Sequence, residues 1–216
     1  MLNLGTAFDS ISRVLCIGAH SDDIEIGAGG ALLTLLDRNP DVHIDWVVMA
    51  ASAERIEEAH ASAKRFTERA SSADIRIEGF RERYFPYLPE VKEYFDRLGA
   101  DIVSPDVIFC PRIEDLHQDH RIVAELTTNT FRDHVILQYE IVKYDADLGQ
   151  PNVFVPLTAE RADEKIRWLF ELFPSQIPRY WFTDETFRAM MTLRGVESRA
   201  PEGYAEGFHC RKLVLF

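Results

Sequence analysis

Residues 14–38 read VLCIGAHSDDIEIGAGGALLTLLDR, and the first six form an unbroken apolar run. A short run without alternation suits a strand buried on both faces. Polar and turn-forming residues follow. From residue 27 to 38 the period changes, with Ala28, Ala31, Leu32, Leu35 and Leu36 on one face at helical spacing. Strand, turn and amphipathic helix make the first half of a βαβ unit.

The alternation continues outward. Residues 42–50, VHIDWVVMA, predict a second strand, 54–70 a polar, Ala-rich helix, and 75–77 a short third strand. Residues 81–89, with Pro86 and Pro89 among aromatics, read as a loop. Val91, Tyr94, Phe95 and Leu98 mark a helix by their i, i+3, i+4, i+7 spacing. A fourth strand is expected at 107–110, a helix at 121–130 and a fifth strand at 135–139. Strands alternating with helices imply an α/β fold: a Rossmann-like, mostly parallel sheet with helices on both faces. Beyond Tyr144 the pattern shifts. Ile166, Leu169, Phe170 and Phe173 mark one helix, 184–194 a second, and 212–215 a last strand. These are expected as a C-terminal α/β extension of one domain spanning residues 1–216.

Composition narrows the class. An apolar share of 46% and a charged share of 28% belong to an ordinary globular chain. A core of normal size needs no metal staple, so a metal site here is expected to be functional rather than structural. Acidic residues outnumber basic ones 36 to 24 and no dense Lys/Arg block occurs, which argues against nucleic acid as a partner. Cys16, Cys110 and Cys210 are odd in number and far apart, so free thiols and a reducing, cytoplasmic compartment are expected. No signal peptide and no integral membrane segment are expected.

The turn after the first strand places His20, Asp22 and Asp23 within four positions, at a strand's carboxyl end, where open α/β sheets bind ligands. Gly27, Gly29 and Gly30 raise a nucleotide loop as a rival. The dinucleotide fingerprint, however, puts glycines directly after the strand, where this chain has His and two Asp. Two carboxylates would also repel a pyrophosphate. Helix capping needs one such residue, not two beside a histidine. A metal site accounts for all three, with one carboxylate ligating and its neighbour free to act as a base.

The loop after the fourth strand carries His117, Asp119 and His120 in H-Q-D-H. In a doubly wound sheet the first and fourth strands are neighbours, so His20 and His120 can meet in one cleft. Two histidines and one carboxylate leave coordination positions open, as in catalytic zinc sites; iron(II) accepts a similar set.

Together, A-H-S-D-D at 19–23 and H-Q-D-H at 117–120 resemble the PIG-L/LmbE-like zinc-dependent deacetylases. That family includes N-acetylglucosaminyl-phosphatidylinositol deacetylases and bacterial deacetylases of mycothiol, bacillithiol and glycopeptide-antibiotic pathways. The likeness extends to Pro111, Asp115 and Tyr204-Ala205-Glu206. It implies His20, Asp23 and His120 as metal ligands, Asp22 as general base, and His117 as electrophile or acid. It implies Asp119 as the carboxylate that orients His117 and favours its protonated form. The family commonly has Pro at the positions of Ser21 and Gln118 and Glu at that of Ile24, none of them ligands.

The implied cofactor is Zn2+, with Fe2+ as the alternative, and the implied reaction is hydrolysis of the acetamide of an N-acetylated amino sugar or glycoconjugate. The rival readings are an amidohydrolase of another small acylated amine and a non-catalytic metal- or nucleotide-binding domain. Arg55, opening the helix after the second strand, is a candidate substrate-binding residue, and a homo-oligomer fits the resemblance. His43, His60, His134 and His209 read as structural.

Overall fold

β1 (Arg13–His20) is the hinge of the architecture, with β2 (His43–Ala50) parallel on one side and β4 (Val107–Pro111) parallel on the other. The computed structural model describes residues 5–214, with side chains from residue 8 onward. Beyond β2 lies β3 (Ser72–Ile77), and beyond β4 lies β5 (Val135–Tyr139), all parallel. With β6 (Val153–Leu157) and β7 (Tyr204–His209) the sheet order is β3-β2-β1-β4-β5-β7-β6, so the chain reverses its direction of travel between β1 and β4. This is the switch point where doubly wound sheets hold their ligands.

Side chains alternate across the sheet as the two-residue period demands. Val14 and Cys16 of β1 enter one apolar cluster with α1 (Asp23–Arg38) and α5 (Ala159–Leu172). Leu15, Ile17 and Ala19 enter the other, with α3 (Pro89–Asp101) and α4 (Gln118–Thr130). Both faces are covered, which explains the continuous apolar runs at 14–19 and 42–50. α2 (Ile56–Thr67) joins the α1 side, where Phe66 packs edge-on against the buried Trp168.

Gly27, Gly29 and Gly30 lie inside α1, away from any phosphate turn. A Cβ on Gly27 would stand 2.2 Å from the ring of Tyr139, whose hydroxyl donates to the Ile17 carbonyl at 2.7 Å. A Cβ on Gly30 would stand 2.6 Å from Leu157 and 3.0 Å from Glu206. Close packing against the first helix accounts for these glycines, and the nucleotide-loop reading loses its basis.

The C-terminal half departs from the expected pattern. The last strand is β7 (Tyr204–His209), not residues 212–215; Lys212–Val214 form no strand, and Leu215 lies outside the described residues. β7 runs antiparallel between β5 and β6 (Val153–Leu157), a strand the periodicity did not reveal. Pro156 obscured it, and proline is tolerated because β6 is the sheet's edge. α6 (Asp184–Ser198) packs on β7 and ends at Arg199 in the left-handed conformation, φ 57°.

β7 also carries Glu206 into the interior. Its carboxylate accepts from the α1 backbone N–H groups of Gly30 at 2.9 Å and Ala31 at 2.7 Å. Lys165 of α5 donates to Glu206 and to the Ile26 carbonyl, at 2.5 and 2.6 Å. This buried pair ties the first helix to the C-terminal extension. Tyr204-Ala205-Glu206 is thus a packing element within the sheet.

Candidate active site

His20 is the last residue of β1, and Asp22 and Asp23 open α1 directly after it. Asp22 occupies the N-cap position, yet its side chain makes no capping hydrogen bond. Its Oδ1 instead pairs with the Arg55 guanidinium at 2.9 Å. The Asp23 Oδ2 accepts from the His20 backbone N–H at 2.9 Å, which fixes the carboxylate beside the imidazole.

From the other side of the switch point, the loop after β4 brings His117, Asp119 and His120. His20 Nδ1 and His120 Nε2 stand 3.2 Å apart across one hundred positions of sequence. Asp23 Oδ2 lies 3.7 Å from the first and 3.4 Å from the second. Four-coordinate zinc at about 2.0–2.2 Å from N and O donors separates neighbouring donors by about 3.3–3.6 Å. The three atoms therefore match one tetrahedral face. His117 also brings a ring nitrogen within 4.8 Å of the other two imidazoles.

Both histidines in that face are braced by carboxylates on their remaining nitrogens. His120 Nδ1 meets Asp115 Oδ2 at 2.9 Å, and His20 Nε2 meets Asp119 Oδ2 at 3.2 Å. Carboxylates in this place fix the tautomer and ring angle and make the ligand more basic. Asp115 is in turn held by Lys143 Nζ at 2.9 Å and by the His117 N–H at 2.7 Å. Burial works to raise the Asp115 pKa, but the bonds and charges of His120 and Lys143 win and hold it well below the usual carboxylate range. The H-Q-D-H motif flagged Asp119. Asp115 stood out only through the family likeness, and Lys143 carried no signal.

Asp119 is placed differently from expectation. Its carboxylate accepts from the backbone N–H groups of Arg83 at 2.5 Å and Phe85 at 3.2 Å and faces His20, not His117. Arg83 takes φ 68°, a left-handed conformation that costs a non-glycine residue energy, in order to aim that N–H. The segment read as a plain loop at 81–89 thus clamps the site, and a 3-10 turn at Phe85–Tyr87 leads into α3.

His117 is the N-cap of α4, and its Nδ1 accepts from the Asp119 backbone N–H at 3.2 Å. The ring proton of the neutral form is therefore on Nε2. Burial, reinforced by the neighbouring His120 and His20, pushes the His117 pKa from 6.5 down to about 4, against the pull of Asp119 and Asp23. Burial, the largest cause, and the helix N-terminus both work against the imidazolium that the family likeness implies. His20 is shifted the other way. Burial lowers it, but the Asp119 hydrogen bond and the charges of Asp23 and Asp119 raise it overall.

Arg55 lies at the start of α2, beyond the carboxyl end of β2, where its sequence position puts it. It pairs with Asp22, a contact that sequence reasoning missed. Beneath the two aspartates, Glu25 is buried and hydrogen-bonded to Ser62, and burial raises its pKa to about 8. Trp168 belongs to the core, and Cys16 and Cys110 are buried free thiols.

Comparison with known proteins places the chain in a family. Residues 15–131 match the PIG-L family profile, described as GlcNAc-PI de-N-acetylase. Among solved structures, the N,N'-diacetylchitobiose deacetylase of Pyrococcus horikoshii is similar with TM-score 0.72 at 22% identity, over 97% of this chain and 87% of that one. A teicoplanin deacetylase, Orf2, aligns with TM-score 0.68 at 14% identity, over 92% of this chain and 97% of its own. GalB of Pseudomonas putida, a 4-carboxy-2-hydroxymuconate hydratase, aligns with TM-score 0.72 at 16% identity, over 95% and 98%. These likenesses show a shared fold, and the hydratase shows that the fold alone does not fix the reaction. The family profile spans more than half of the chain and takes in both motifs, so the chain belongs to the PIG-L family of de-N-acetylases.

Proposed function

We propose that the chain is a zinc-dependent N-deacetylase that hydrolyses the acetamide of an N-acetylated amino sugar or glycoconjugate. The observation that carries this reading is the face formed by His20 Nδ1, Asp23 Oδ2 and His120 Nε2, with separations of 3.2 to 3.7 Å and a carboxylate behind each imidazole. Asp23 is favoured over His117 as third ligand because it brings negative charge to the cation and is oriented by the His20 N–H. Zinc bound there would lower the pKa of water toward about 7 and polarise the acetyl carbonyl.

The chain's own groups then divide the work. Asp22 takes the proton of the attacking water, with Arg55 fixing its carboxylate. His117 donates its Nε2–H to the oxyanion as a neutral imidazole, which needs no buried positive charge. A neutral imidazole is too weak an acid to protonate the departing amine. That proton returns from Asp22, so base and acid are one residue. Arg55 is a positioning residue here, in place of the substrate-binding role expected from sequence. The buried thiols fit a reducing cytoplasm, and no helix of the described residues is long and apolar enough to cross a membrane.

Elemental analysis followed by acetate release from a panel of N-acetyl sugars tests the proposal. One divalent ion per chain, lost in His120→Ala, with acetate freed from at least one sugar is the expected result. A metal-bearing protein that frees no acetate from any of them would refute the substrate class.

A further inference from the structure

A second concave site lies outside β5, on the sheet face that α4 covers, and none of its lining belongs to the candidate active site. Its origin is topological. β5 pairs with β7 only through Gln138 and Tyr139, so Val135, Ile136 and Leu137 have no β7 partner. The gap left by this short pairing is bounded by the C-terminal end of α4, the turn before β5 and the tail at Arg211 and Lys212. The cavity measures about 380 Å³, within the range of roughly 300–1,000 Å³ that small-molecule sites occupy.

Its charge is opposite to that of the whole molecule. The chain carries a formal charge of −12, yet Arg132, Arg211 and Lys212 line this groove and no aspartate or glutamate does. Among the described residues none of the three forms an ion pair with a carboxylate. Lys212 Nζ and Arg132 Nε reach only backbone carbonyls, those of Arg132 and Asn129. His134, on the same wall, bonds Ser104 through Nε2 at 2.8 Å and leaves a buried Nδ1 without a partner. The floor is apolar, made by Phe131 and Ile136. Cations kept together without counter-charges in an acidic protein repel one another unless an anion joins them.

We propose that this groove binds a small phosphorylated ring compound of nucleoside diphosphate size. The phosphates lie on Arg132, Arg211 and Lys212, and the ring lies over Phe131 and Ile136. The site is separate from the metal centre and stands whether or not the deacetylase reading does.

Calorimetric titration of the full-length, metal-loaded chain with adenosine 5′-diphosphate tests it. At low salt the wild type should bind with Kd below about 1 mM, and added salt should weaken the complex, as screening of exposed charges requires. The double variant Arg211→Glu/Lys212→Glu should bind at least about tenfold more weakly while its acetate release is unchanged. Arg132→Gln, on another segment, gives an independent reading should the tail variant misfold. Absence of saturable binding, or equal affinity in the variants, as chelation at the metal centre would give, overturns the proposal.

Discussion

The Arg55 guanidinium stands 2.9 Å from Asp22 Oδ1, and both side chains are largely buried. Two roles are open to Arg55, fixing Asp22 and binding substrate, and they separate kinetically. Arg55→Met should lower kcat by about tenfold or more with little change in KM and with metal content intact. A raised KM at constant kcat would return Arg55 to the substrate-binding role.

His117 should titrate far from ordinary histidine. Its imidazole resonances, followed by NMR in the metal-free protein, should show a midpoint near 4. The sign follows from linkage. Between about 4 and 6.5 the unfolded chain binds a proton that the folded chain refuses, so this group adds stability above about 6.5 that is lost as pH falls toward 4. A midpoint at or above 6.5 would restore the imidazolium and reopen His117 as the acid that protonates the amine.

Asp115 braces His120 through its Nδ1, the nitrogen that faces away from His20 and Asp23. Asp115→Asn should weaken zinc affinity by about 10–100-fold, measured by chelator competition. At saturating zinc most of the turnover should return, since Asp22 and His117 are untouched. Unchanged affinity would show that the His120–Asp115 bond of 2.9 Å does not tune the ligand.

Lys165 and Glu206 carry the attachment of the C-terminal extension to α1. Lys165→Met leaves the Glu206 carboxylate buried with two backbone donors, and about 3–5 kcal/mol of stability should be lost in denaturant unfolding. Lys165→Met/Glu206→Leu should regain most of it, because an apolar pair leaves no stranded charge. A loss in the double variant as large as in the single one would assign the cost to packing alone.

Much of this molecule is legible in its sequence, for identifiable reasons. Strands buried on both faces produce the unbroken runs at 14–19 and 42–50, and adjacency of β1 and β4 follows from the alternation of strands and helices. His20, Asp22, Asp23, His117, Asp119 and His120 therefore meet where two motifs a hundred residues apart suggest. What stayed hidden depends on side-chain direction. Whether Asp119 faces His117 or His20 turns on the backbone N–H groups of Arg83 and Phe85, set by a left-handed residue in a loop that no periodicity marks. Lys143 looks like an ordinary surface charge, and the contact of Arg55 with Asp22 is invisible, until their partners are known. β6 and β7 were obscured by Pro156 and by the apolar run near the C-terminus, which resembles a strand but pairs with nothing through Val214.

The centre of this account is the choice of Asp23, and not His117, as third metal ligand. Crystals of the zinc-loaded protein, measured at the zinc absorption edge, address it directly through the anomalous difference map. The account predicts one peak within about 2.0–2.2 Å of His20 Nδ1, Asp23 Oδ2 and His120 Nε2, with His117 Nε2 beyond bonding distance. A peak bonded to all three histidines, with Asp23 left outside, would contradict it.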